Sequence, residues 1–266
     1  MSISKLRLLW IASFAFLAST CALPAIAEEL VFANDATPYC PYTTCNDGKR
    51  GYVIDVLVAI YEDYGYKVTI KDIPWNRAIA MVNAGSMNGI VGITKDVLPN
   101  LVYPHSEIAR YTPAVFSLKA NPWHFDGIAS LKRARLGMVK NYGNGEGNPE
   151  LEKYLDGNPV NVTYIAADDA ISHLFLMIEA DHIDAMIEDL MVGNYYLRLS
   201  GKKKIFKAAP IQQSNLFGYI GFNPNDEKSV RLAKLFDTGL AKLRRSGKLK
   251  ALLAAYNLKD WQGRSK

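Results

Sequence analysis

Hydrophobic and polar positions alternate in blocks along this chain, and the blocks define its elements. Leu30 to Ala33 is a short apolar run that closes on the polar turn Asn34-Asp35, the pattern of a buried strand. Tyr52 to Tyr61 follows a helical period through Ile54, Val58 and Ile60, and Tyr66 to Ile70 alternates as a strand does. Asn76 to Ala84 is again helical, and Gly89 to Ile93 is a fully apolar strand. Strands alternating with helices predict an α/β lobe with a largely parallel sheet.

The same grammar then recurs. Ala134 to Val139 reads as a strand, Asn148 to Leu155 as a helix after a glycine-rich turn, and Val160 to Ile165 as a strand. Asp168 is placed to cap a helix running to about Ala180, and Ile183 to Ile187 is the next strand. Met81-Val82-Asn83-Ala84 matches Met177-Ile178-Glu179-Ala180 at an offset of 96 residues, and Met87 to Val91 matches Ile183 to Ile187 in the same register. Two similar lobes predict a cleft between them, a favoured place for a ligand. Leu216 to Phe222 is a further apolar stretch, followed by an amphipathic helix from Glu227 to Arg245, a break at Gly247 and a last helix from Lys248 to Tyr256.

The N-terminus changes the picture from fold to address. Lys5 and Arg7 precede an apolar run from Leu8 to Ala18, and Ala25-Ile26-Ala27 closes the segment. A basic start, a short hydrophobic stretch and an A-x-A site predict a signal peptide over residues 1–27, with the mature chain starting near Glu28. Cys21 lacks the small residue and the leucine that would precede a lipoprotein cysteine. Removing the leader lowers the net charge from +5 to +3, a mild surplus. Lys202-Lys203-Lys204 and Arg244-Arg245 then read as solvated faces, and no nucleic-acid motif accompanies them.

Cys40 and Cys45 remain after the leader is gone. In an oxidising compartment they favour a small loop disulfide over two free thiols or half of a zinc site, which lacks a second ligand pair. Catalytic and metal signatures are absent from the sequence: four histidines form no H-E-x-x-H, Gly85-Ser86-Met87-Asn88-Gly89 is not G-x-S-x-G, and no P-loop or cofactor motif is present. Gly143 to Gly147, between a strand and a helix, is either a plain turn or an anion-binding helix start. Residues at predicted strand ends carry more chemistry, because ligands of open α/β sheets bind beyond the carboxyl ends of the strands. Tyr39, Tyr42, Trp75, Arg77, Thr94 and Asp189 all fall there, offering aromatic cover, a guanidinium and a carboxylate to a polar solute.

Several motifs, in order, resemble the family 3 extracellular solute-binding proteins of polar amino-acid ABC importers. Tyr39-Cys40-Pro41-Tyr42 resembles Y-x-P-F, and Gly51 to Val56 resembles G-F-D-V-D-L with Val53 in place of the first aspartate. Asn83 to Ile90 resembles L-x-x-G-K-V-D-A-I, Ile183 to Asp189 resembles V-D-A-V-V-x-D, and Gly218 to Phe222 resembles the return strand. The resemblance implies a type II two-lobe periplasmic binding protein-like fold, each lobe a mostly parallel sheet with flanking helices, joined by two crossing hinge strands. Lobe one would be 28–118 and 217–266, with lobe two, 119–216, inserted. It also implies that Tyr39, Tyr42, Trp75 and Thr94 line lobe one, that Asp189 meets an ammonium group, and that Tyr142 lies near the G-S-T turn of lobe two. One departure stands out. The family's T-P-E-R arginine clamps a ligand carboxylate, whereas here Thr94 is followed by Lys95-Asp96-Val97, leaving Arg77 or Arg110 as replacements.

The expectation is therefore a monomeric periplasmic protein that takes no cofactor, binds a small polar solute and delivers it to an inner-membrane ABC permease. Two alternatives use the same scaffold: a cyclohexadienyl dehydratase-like enzyme with Glu188, Glu146 or Asp189 as its proton-transfer group, and a ligand-presenting partner of a chemoreceptor.

Overall fold

The computed structural model describes residues 27–45, 47–140, 147–167, 169–211 and 216–264. Residues 1–26 of the expected leader, Tyr142, Glu146 and Asp168 lie outside the described residues. In chain order the first lobe's elements are β1 (Glu29–Asp35), α1 (Tyr52–Asp63), β2 (Lys67–Ile73), α2 (Trp75–Asn83), β3 (Gly89–Ile93) and β4 (Ala109–Tyr111). The chain then forms β5 (Pro113–Leu118), β6 (Leu136–Val139), α3 (Pro149–Asp156), β7 (Val162–Ile165), α4 (Ala170–Glu179), β8 (Ala185–Asp189), α5 (Leu190–Leu199) and β9 (Phe206–Pro210). It returns through β10 (Leu216–Phe222), α6 (Ser229–Arg245) and α7 (Lys248–Ala254).

The strands build two five-stranded sheets, ordered β2-β1-β3-β10-β4 and β7-β6-β8-β5-β9. The two orders are equivalent position by position, and β3 and β8 are the matched strands 96 residues apart. Each sheet is mixed rather than mostly parallel. The β2-β1-β3 and β7-β6-β8 halves are parallel, while β10 and β5 add antiparallel pairings on both their sides. The antiparallel halves belong to the strands that carry the chain between lobes. β4 runs into β5 with only Thr112 between, so sheet membership changes at that residue, and β5 pairs wholly within the second sheet. The return crossing lies between Pro210 and Leu216.

Tertiary pairing also reset element ends. β2 reaches Ile73 because it pairs with all of β1, Glu29 opposite Lys67 through Asp35 opposite Ile73. β8 begins two residues later than the apolar run suggests, since its partner β5 holds residues 185 to 189. That shift places Glu188 inside a strand and Asp189 at its end.

Lobe one is closed by both ends of the chain. α6 packs on α1 so tightly that a Cβ on Gly239 would stand 2.5 Å from Ile60. The Tyr61 hydroxyl donates to the Leu232 carbonyl at 2.9 Å. Beyond α7, Tyr256 donates to Asp55 at 2.6 Å and accepts from the Gly51 N–H at 3.1 Å. Asp55, second acid of the G-F-D-V-D-L-like segment, thus ties the C-terminus to α1. In lobe two Phe116, Phe175 and Phe206 meet edge to face at 5.7 and 5.1 Å, and Gly193 of α5 gives Phe116 room to lie against the helix. Among the described residues no helix is long and apolar enough to cross a membrane.

Candidate functional site: a cavity between the lobes

Residues that end strands in both sheets converge on one cavity of about 170 Å³. Lobe one supplies Asn34 and Asp35 from the end of β1, the Tyr39–Thr43 loop, Trp75 at the start of α2, Gly92 and Thr94 around the end of β3, and Tyr111 of β4. Lobe two supplies Ile187, Glu188 and Asp189 from β8, and the hinge supplies Pro113.

The Tyr39–Thr43 loop is held from below by the helix it precedes. The N–H groups of Tyr52 and Val53, unpaired within α1, donate to the carbonyls of Pro41 and Tyr42 at 2.9 and 3.1 Å. Gly51 makes this possible. Its φ is 95°, and a Cβ there would sit 2.3 Å from the Tyr42 carbonyl oxygen. Cys40 and Cys45 are joined in a disulfide across the same loop, which leaves no thiolate pair for zinc. The loop's outer end crosses to the other lobe, where the Tyr195 hydroxyl of α5 donates to Asp47 at 2.6 Å.

Three tyrosine rings form one wall. Tyr39 and Tyr42 are stacked at 5.4 Å, and Tyr111 meets them at 6.2 and 5.0 Å. The Tyr42 and Tyr111 hydroxyls are tied to the backbone carbonyls of Arg110 at 2.6 Å and Gly92 at 2.8 Å. Both side chains are among the cavity's lining residues.

Two adjacent carboxylates of β8, Glu188 and Asp189, line the cavity from lobe two. Asp189 is buried, and its oxygens accept from the N–H groups of Met191 and Val192, capping α5, and of Thr112 in the crossing strand. Burial raises its pKa to about 6 against the pull of those donors. Glu188 is 2% exposed; Oε1 accepts from the Asp189 N–H at 2.7 Å, and Oε2 has no partner. Burial, with the Asp189 charge adding to it, pushes Glu188 up to about 8. Asp35 is also raised by burial, although it accepts from the Thr37 N–H and hydroxyl.

Of the residues singled out in the sequence, Tyr39, Tyr42, Trp75, Thr94 and Asp189 line the cavity. Arg77 and Arg110 do not. Arg77 is exposed on α2, two positions and about 200° of helix away from Trp75. Strand alternation puts Tyr111 and its partner Leu216 on the cavity side of the sheet, and Arg110 and its partner Phe217 on the other, where the guanidinium lies 5.0 Å from the Phe217 ring. Lys95, standing near the family's arginine position, lies 4.1 Å over the Tyr219 ring. Tyr111 and Asp35 were missed. Tyr111 sits on a three-residue strand too short to show a period, and Asp35 reads in sequence as an ordinary turn residue.

A two-lobe α/β molecule with its cavity at the crossing strands defines a class of ligand-capturing proteins. The chain belongs to the bacterial extracellular solute-binding proteins, family 3, which it matches over residues 30–259. No curated protein matched it by sequence. Among solved structures it is similar to one from Streptococcus mutans described for glutathione import via GshT and the cystine ABC importer TcyBC (TM-score 0.70, 16% identity, 87% of this chain and 95% of that one). It is also similar to an ABC uptake transporter substrate-binding protein from Streptococcus pneumoniae with bound histidine (TM-score 0.69, 17% identity, 87% and 93%). A third is an ancestral amino acid-binding protein described as a precursor of cyclohexadienyl dehydratase (TM-score 0.64, 15% identity, 86% and 95%). At such identities the likeness is one of fold: the type II periplasmic binding protein-like architecture.

Proposed function

We propose that this protein is the periplasmic substrate-binding component of an ABC importer, exported by its N-terminal leader, and that it acts as a monomer that captures a small polar solute between its lobes. The observation that carries the reading is the cavity itself, lined from both sheets, with Glu188, whose buried Oε2 has no partner, among the lining residues. A solute that touches Tyr39, Tyr42 and Trp75 on one lobe and Glu188 on the other favours the closed arrangement by its differential contacts. The Asp47–Tyr195 bond spans the same lobes and adds to that state. The importers named for the structural relatives motivate delivery to an inner-membrane permease. Trp75 lines the cavity while Trp123 and Trp261 pack elsewhere, so tryptophan emission reports occupancy. A panel of amino acids, amines and small acids is expected to yield at least one solute that shifts both emission and melting temperature. A panel that shifts neither overturns the reading.

One observation favours a second reading. A buried carboxylic acid poised near 8 beside an ionised neighbour is suited to proton transfer, and a dehydratase precursor shares the fold. Incubation with prephenate or arogenate, followed by absorbance of the aromatic product, tests it. Turnover lost on Glu188→Gln would replace the pure binding role with an enzymatic one.

A further inference from the structure

The charge of the cavity wall points to a narrower class of solute. Three carboxyl groups line it, Asp35, Glu188 and Asp189, and among the described lining residues there is no lysine, arginine or histidine. The basic side chains closest in sequence to lining residues are directed elsewhere: Arg110 onto Phe217, Lys95 onto Tyr219, and Arg77 toward the exterior. The internal positions outside the described residues, 46, 141–146, 168 and 212–215, contain no basic residue in sequence. The N-terminus of α5, an alternative seat for an anion, is already occupied by Asp189.

A zwitterion placed here would pair its ammonium group and leave its carboxylate unpaired among like charges, an arrangement that selects against it. An organic cation meets none of that cost. Its charge is opposite in sign to the lining carboxyls, among them Glu188 with its buried, unpartnered Oε2, and its body suits a cavity lined by the Tyr39, Tyr42 and Tyr111 rings, since aromatic rings attract cations. The volume, about 170 Å³, exceeds the roughly 150 Å³ that accepts a benzene ring.

We propose that the cavity selects a small organic cation without a carboxylate, an amine, amidine or quaternary ammonium with an apolar or aromatic body, held by Glu188 and the tyrosine wall. This rests on the solute-binding reading and narrows it. Cation binding ionises Glu188, so a proton leaves as the ligand enters. The other titratable groups on that wall are Asp35, Tyr39, Tyr42, Tyr111 and Asp189, and Tyr196 of α5 is raised by burial and further by the charges of Glu188 and Asp169.

Matched pairs separate the two ideas: tyramine and tyrosine, histamine and histidine, agmatine and arginine, choline and glycine betaine, titrated by calorimetry at pH 7. The expected result is at least one pair in which the carboxylate-free member binds about tenfold tighter or more, with no pair reversed. For that ligand, titration in buffers of different ionisation enthalpy should show net proton release, and Glu188→Gln should weaken binding about tenfold and abolish the release. A carboxylate-bearing member that binds equally or more tightly overturns the proposal and leaves solute binding intact. Proton uptake on binding the cation also overturns it, because a protonated Glu188 would then be donating to the ligand. If nothing in the set binds at about 1 mM, the proposal falls. Solute binding falls with it only if the broader panel is silent too.

Discussion

Glu188→Gln separates the electrostatics of the cavity from its shape. The side chains are nearly isosteric, and a glutamine oxygen still accepts from the Asp189 N–H. What disappears is an ionisation that the folded protein resists. Burial pushes Glu188 up to about 8 in the fold from an ordinary value of about 4.5, and each pH unit of displacement corresponds to about 1.36 kcal/mol, a ceiling of about 5 kcal/mol. The sign follows from the raised value. The folded state holds the proton more tightly than the unfolded chain, so the stabilisation is complete below about 4.5 and is lost as pH rises to about 8. The variant carries no such loss. Its stability minus that of the wild type should climb from pH 4.5 to 8 and then level. Asp189, Asp35 and the tyrosines stand in both proteins, so most of their titration cancels in the difference. For a protein of this size about 1 kcal/mol moves the melting temperature by roughly 2–4 °C, so the variant should melt about 10 °C higher relative to wild type at pH 8.5 than at pH 4.5. Calorimetric melts of both proteins across that range are the assay. A difference that stays flat within about 2 °C refutes the reasoning that Glu188 is a buried, unpartnered acid.

Tyr195→Phe removes the hydrogen bond that joins α5 to Asp47 across the cleft and should weaken ligand affinity about five- to tenfold, roughly 1 kcal/mol, in calorimetric titration. Unchanged affinity would assign that contact no part in closure. Gly51→Ala forces a positive φ on alanine and drives its Cβ into the Tyr42 carbonyl, so urea unfolding should show a loss of about 2–4 kcal/mol. A loss below about 0.5 kcal/mol would mean that the loop yields freely. Tyr256→Phe leaves Asp55 with Arg50 alone as its side-chain partner and removes the acceptor of the Gly51 N–H, an expected cost of about 2 kcal/mol in the same assay, and no measurable change would detach the C-terminus from the support of the site.

The local pattern determined more of the scaffold than of the site. β3 and β10 fall on the residues their apolar runs mark, and the repeat at 96 residues survives as two sheets of equivalent order. Such segments are legible because burial on both faces leaves an uninterrupted apolar signature in the chain. The crossings were not legible as elements. β4 is three residues long, β5 follows it after a single residue, and α5 starts directly after β8, so no turn residues punctuate them.

The site divides in the same way. Tyr39, Tyr42, Trp75, Thr94 and Asp189 were visible as polar or aromatic residues at strand ends, where α/β chemistry collects. Which oxygen is unpartnered was decided elsewhere. Asp189 is drawn into capping α5 and holding Thr112, while Glu188, one residue earlier and also lining the cavity, is left with Oε2 buried and without a partner. Arg77 and Arg110 were near enough in sequence to replace a missing clamp, but helical rotation and strand alternation turned them away. Sequence alone determined the two α/β repeats and the family motifs, because hydrophobic period is a local property of the chain. Only the tertiary structure decided the charge of the cavity, because that depends on which faces of distant strands the packing turns inward.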